Sequence, residues 1–327
     1  MKNLVRFSLA LAFLLLVLTA HLRNSASGVG CSDWPDCYAR LVPATTAAAS
    51  TAMAWASGAR EWLTGLFGLA ALFLTLVAVR DGRHRLLSAC VLGLAIVQAW
   101  LQMRQGAAQH PAAYLAAIMA GFLLIGLLAW LLFRLSPGSA RYTETRIRHV
   151  RPLLLAALVL LALQIFLGGL TSVNYAATAC TGFPSCNGAW FPDATIYSAL
   201  RVDRPYAMSP DGYALGGFER QAVHLAHRWF AFLSALAIIS VAIASYFSTE
   251  AMRRLGVAAV TLLTGAVIGG GAAALGNLPA WLAVLHPALA AALLLVLLKM
   301  HALSRERWWL DYSMLPDSPP RNEPAWR

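Results

Sequence analysis

The chain has 327 residues, 59% of them hydrophobic and only 12% charged, with a mean hydropathy of +0.64. Soluble domains carry charge on about a quarter of their residues, so a water-soluble fold is excluded and a bilayer must solvate much of the surface. The net charge of +11 comes from arginines in short links between apolar runs. That pattern is a topology signal rather than a nucleic-acid footprint, and no nucleic-acid partner is expected.

A membrane-spanning helix needs about 20 mostly apolar residues. By that measure the chain carries about eight, near residues 4–22, 61–79, 86–103, 112–133, 152–172, 222–247, 255–275 and 281–302. The expected fold class is therefore an all-α integral membrane protein. The first run follows Lys2 and Arg6. It reads as a retained helix, although Ser25-Ala26-Ser27 imitates the cleavage site of a secretory leader. Arg80–Arg85, Arg134–Arg151, the pair Arg253-Arg254 and the tail after Lys299 are rich in Lys and Arg. All lie on one side if the N-terminus is inside, so both termini are expected in the cytoplasm. The tail, residues 304–327, carries Pro316, Pro319, Pro320 and Pro324 and reads as disordered.

Two segments on the opposite side carry paired cysteines. SGVGCSDWPDCY (Ser27 to Tyr38) follows the first apolar run, and NYAATACTGFPSCNG (Asn174 to Gly188) follows the fifth. The period of four helices predicts two parallel repeats, 1–150 and 151–303, each a four-helix bundle, related about an axis along the membrane normal. Cys31 with Cys37 and Cys180 with Cys186 each enclose an aromatic-Pro step. Such close pairs in an oxidising compartment read as structural disulfides Cys31-Cys37 and Cys180-Cys186, with thiol exchange or metal binding as the alternatives. Cys90 lies inside an apolar run and reads as a small hydrophobe.

Ionisable residues within spans are costly and face a bundle interior. His227 and His286 fall at comparable depth in neighbouring helices, where two imidazoles can be trans axial ligands of one haem iron. The plainer alternative is a set of interfacial histidines capping helix ends. His224, one turn from His227, cannot be a trans ligand to it and is assigned to the surroundings. Arg228 could pair with a haem propionate or anchor the helix at the water boundary. Glu61, at the start of the second span, could relay a proton or complement the helix dipole.

With these residues in place, the chain resembles the haem A synthase family of cytochrome oxidase assembly proteins. The resemblance rests on SGVGCSDWPDCY, Arg60-Glu61-Trp62, NYAATACTGFPSCNGAWFP, His227-Arg228 and His286, and spans nearly the whole chain. It implies two four-helix halves in the bacterial inner membrane, with the cysteine loops periplasmic. It implies haem b held in the second half by His227 and His286. It also implies haem O taken into the first half, where its C8 methyl is oxidised to the formyl of haem A with Glu61 assisting. The implied partners are haem O and its synthase, the cytochrome c oxidase assembly machinery, membrane lipid and a second copy of the chain. The first cysteine pair is implied in electron or thiol exchange and the second in structure.

The chain departs from the family pattern in its first half. Where Glu-x-x-His-Arg is usual, Glu61 is followed by Trp62, Leu63, Thr64 and Gly65, and Ala117 stands four before Gly121 where a second histidine is expected. His110 lies nearby, beside Pro111. Two other functions therefore stand beside synthesis. One is a paralogue that binds haem b and assists or regulates oxidase assembly; the other is a quinone-linked thiol oxidase.

Overall fold

The computed structural model describes residues 1–26, 51–105, 111–135, 145–180, 182–203, 209–210, 216–276 and 278–305. Among them are α1 (Lys2–Ala26), α2 (Thr51–Asp81), α3 (Arg85–Gln105), α4 (Pro111–Arg134), α5 (Thr145–Val173), α6 (Ile196–Ala199), α7 (Gly217–Tyr246), α8 (Glu250–Leu275) and α9 (Ala280–Arg305). Eight of these are long and apolar enough to cross a membrane; α6 is a single turn. The described residues contain no strand, only one isolated bridge between Cys186 and Ala189. Cys31, Cys37, His110 and the tail beyond Arg305 lie outside the described residues.

The eight spans fall where the apolar runs predict, but several helices begin earlier. α2 starts at Thr51, ten positions before Glu61. Its added turns, TAMAWASGAR, are rich in alanine, the best helix former, yet too mixed for a hydropathy window. Glu61 therefore lies in the third turn of α2, where the dipole of the helix end no longer reaches. The expectation that it opens this helix is corrected. α5 starts at Thr145, so TRIRHVR belongs to the helix instead of the link. Arg253 and Arg254 sit in the first turn of α8, both ion-paired with Glu250. The Thr249 hydroxyl caps that helix by accepting from the Met252 N–H at 3.4 Å.

One continuous core joins the long helices. Leu74, Ile125, Leu154, Ile238 and Leu297, from α2, α4, α5, α7 and α9, are all fully buried within it. Val5 and Leu11 bring α1 into the same cluster. The outward faces are also apolar: Leu69, Ile96, Val159, Ile243 and Ile268 are each about 60% exposed. A surface of this kind is stable only against lipid, where every backbone polar group must be satisfied inside its own helix. The molecule is a multi-pass membrane protein, and its long apolar helices support placement in an inner membrane. Cys90 is exposed on this outward surface of α3.

α1 packs on α2, α4 and α9; α2 packs on α3, and α3 on α4. α5 packs on α4, α7 and α9; α7 packs on α8, α8 on α9, and α4 on α9. At the end where the cysteine loop sits, Arg23 of α1 donates to the Ser172 hydroxyl of α5 at 2.5 Å. Asn24 reaches the Ala283 carbonyl of α9 at 3.2 Å.

Candidate functional site

The described residues 176–190 cover the end of α7. The Cys180–Cys186 disulfide closes their tightest part, with Cα atoms 4.6 Å apart, and both cysteines are buried against Leu225. Arg228 donates to three carbonyls of this turn: Gly182 at 2.6 Å, Ser185 at 2.8 Å and Pro184 at 3.2 Å. Its guanidinium lies 5.6 Å from the centre of the Phe183 ring. One residue on, the Trp229 indole N–H donates to the Trp190 carbonyl at 2.6 Å, and its ring stacks on Phe191. Beyond this point Thr195 donates through its hydroxyl and its backbone N–H to Asp193 Oδ1, at 2.5 and 2.9 Å. The hydroxyl bond is the larger cause holding that carboxyl below its ordinary range.

Beneath this cover the structure brings His227 of α7 and His286 of α9 together in an edge-on arrangement. Their ring centres are 6.3 Å apart, and the ring planes cross at 71°. Imidazole–metal bonds run to about 2 Å, so two imidazoles on opposite sides of one metal have centres roughly 6 Å apart. At the observed spacing the two rings could hold one metal between them. His286 Nδ1–H donates to the Ala266 carbonyl of α8 at 3.0 Å, which leaves Nε2 as the lone-pair nitrogen. A backbone acceptor of this kind commonly orients a metal-binding histidine.

Room for the two rings comes from two glycines. A Cβ on Gly168 of α5 would stand 3.2 Å from His227 Cε1, and one on Gly270 of α8 would stand 3.0 Å from His286 Cε1. Gln164 of α5 places its amide nitrogen 3.1 Å from His227 Nδ1 and 3.3 Å from Nε2. Its amide oxygen is buried with no hydrogen-bond partner. His227 and His286 are the described residues that could hold a haem iron between them. Among the described residues no group of three or more His, Cys, Asp or Glu side chains could hold a bare metal ion.

The other expected residues are placed differently. His224 is buried one turn from His227, and its Nδ1–H donates to the Ala176 carbonyl at 2.8 Å, tying α7 to the loop. Arg228 likewise makes its recorded hydrogen bonds to loop carbonyls. Glu61 is exposed on α2, and no described contact joins it to the histidine pair. At the two positions where the family pattern expects histidines, the Thr64 hydroxyl lies 2.7 Å from the Arg60 carbonyl and 3.2 Å from Gln102 Oε1 of α3. Ala117 is buried in a small apolar cluster with Leu101 and Ala120. Sequence reasoning missed Gln164, Gly168 and Gly270. The available signal was a lone glutamine and small residues within apolar spans.

A multi-pass helical protein with a disulfide-closed loop over a half-buried histidine pair is the class these features define. The family model described as cytochrome oxidase assembly protein matches residues 2–298. The chain is 31% identical to a protein named heme A synthase from Shewanella oneidensis, over 91% of this chain and 94% of that one. It is 24% identical to another heme A synthase, from Shouchella clausii, over 55% of this chain and 62% of that one. The chain belongs to the haem A synthase/COX15 family of cytochrome oxidase assembly proteins, and this membership supports a membrane oxidoreductase role.

Proposed function

We propose that the protein is a haem A synthase-type oxidoreductase of cytochrome c oxidase assembly. Haem b is held in the second half by His227 and His286, and haem O enters the first half, where its C8 methyl is oxidised to the formyl of haem A. Water supplies the oxygen, and a quinone or another acceptor takes the electrons. Bound haem b supplies one-electron transfer. The chain's own part is to hold the imidazoles in register, exclude water beneath the loop and accept a proton at Glu61. The observation that carries this reading is the histidine pair in a chain matched by the family over nearly its whole length.

The reading includes the repeat. α1, α2, α3 and α4 close one ring of neighbours, and α5, α7, α8 and α9 close another. Contacts of α1 with α9 and of α4 with α5 are the exchange a two-fold axis along the normal requires. The halves are then 1–150 and 151–303. In this register Thr64 stands where His227 stands, and Ala117 where His286 stands. The first half thus holds its haem by shape, by the long apolar tail, or through His110. Both termini are cytoplasmic, with the cysteine loops in the periplasm. The haem O synthase, the oxidase assembly machinery, lipid and a second copy of the chain are the partners.

The hydrogen-bonded Thr64 and the buried Ala117 favour a second reading, a non-synthesising paralogue that binds haem b and assists or regulates assembly. Burial of Cys180 and Cys186 weighs against thiol exchange through that pair. Co-expression with a haem O synthase in a host lacking haem A decides between the first two. Haem A in the membranes, lost on Glu61→Gln, supports synthesis. Haem O left unconverted while haem b is bound supports the paralogue.

A further inference from the structure

α1 buries one face and leaves another open. Val5, Ser8, Ala12 and Leu15 are buried. Arg6, Leu9, Ala10 and Phe13 share a second face at helical spacing and line a groove of about 350 Å³ with Leu132 of α4 and Leu295 of α9. The groove lies where these three helices meet. It is at the opposite end of α1 from Arg23 and Asn24, which reach α5 and α9 beside the cysteine loop. Its α1 wall runs about 10 Å along the helix axis, with Arg6 at the end nearest the water boundary.

Charge at this end is one-sided. Arg134 closes α4. Lys299 is one turn beyond Leu295 on α9, with its ammonium 5.0 Å from the centre of the Phe133 ring. None of α1, α4 and α9 carries an Asp or Glu. Among the described residues, the recorded hydrogen bond of Arg6 goes to Asn3 Oδ1 at 3.4 Å, and no recorded ion pair includes it. Basic pockets between transmembrane helices recognise anionic lipid headgroups, and arginine can hold a phosphate through two N–H donors. We propose that this groove holds one anionic phospholipid, with an acyl chain along its apolar walls and its phosphate on Arg6. The lipid then joins α1 and α4 to α9, away from the histidine pair and the loop.

The test is native mass spectrometry of the full-length protein released from nanodiscs of equal phosphatidylglycerol and phosphatidylethanolamine. The wild type is expected to keep one phosphatidylglycerol in preference to phosphatidylethanolamine. Arg6→Gln should lower that preference about 5-fold, and Ala10→Trp, which fills the groove at an exposed position, should lower retention of both lipids. Arg83→Gln, exposed in the link between α2 and α3, is the control for charge alone and should keep the wild-type preference. If Ala10→Trp does not fold, Arg6→Gln against Arg83→Gln decides alone. Equal losses in those two variants, or unchanged retention in a folded Ala10→Trp, overturn the proposal. So does a wild type that keeps no lipid, or keeps the two lipids in equal share.

Discussion

His286 is followed directly by Pro287, and that adjacency ties the candidate site to α1. Proline has no N–H to give the carbonyl four residues back, so Ala283 is left without its helical donor. Asn24 of α1 supplies the missing bond at 3.2 Å, as a carbonyl in a membrane interior demands. Asn24→Leu should cost about 1–3 kcal/mol, read as a lower melting temperature and faster haem loss; an unchanged protein would show the bond to be incidental. Arg228 gives a second test. Arg228→Ala removes three bonds to the turn closed by Cys180 and Cys186 and should destabilise the fold by about 2 kcal/mol or more. If its role were to pair with a haem propionate alone, haem content would fall with no change in protection of the loop amides from exchange. At this scale His227, His286 and the Cys180–Cys186 pair were legible, because histidine and cysteine stand out in apolar or loop sequence. Gln164 was not, since the face on which a lone glutamine lies depends on where its helix packs.

Among the elements, α5 and α8 press glycines against the two histidine rings. Gly270→Ala should therefore displace the His286 ring and abolish or shift the haem spectrum, although alanine favours the helix by about 1 kcal/mol. Gly271→Ala is the control, since a Cβ there meets nothing within 4 Å; equal spectra for both would contradict the packing argument. The link between α2 and α3 is weaker. Thr64→Val removes the contact to Gln102 and should cost no more than about 1 kcal/mol. Element existence was legible from apolar length, but the ends were not. α2 gains ten residues of mixed, alanine-rich sequence, α5 gains charged turns, and α6 forms inside a loop. Hydropathy reports what lipid will accept; helix ends are set by propensity, capping and the loop packed on them.

For the molecule as a whole, charge bias and the cysteine loop make one statement about sidedness. Alkaline phosphatase, which matures only where disulfides form, should be active when fused after Tyr197 in the loop and inactive after Gly82 between α2 and α3. The reverse pattern would invert the topology. The repeat is part of the proposed reading and rests on the spacing of the two cysteine segments. The departure from the family pattern was legible in Thr64 and Ala117. What fills those positions was not, because hydrogen bonding to Gln102 and packing on Leu101 depend on how α2, α3 and α4 meet. The measurement that tests the central claim most directly is the haem content of the purified chain beside His227→Ala and His286→Ala. The account predicts haem b in the wild type with a spectrum of two axial histidines, lost or converted in each variant. A wild type free of haem, or one whose spectrum survives both substitutions, would contradict it.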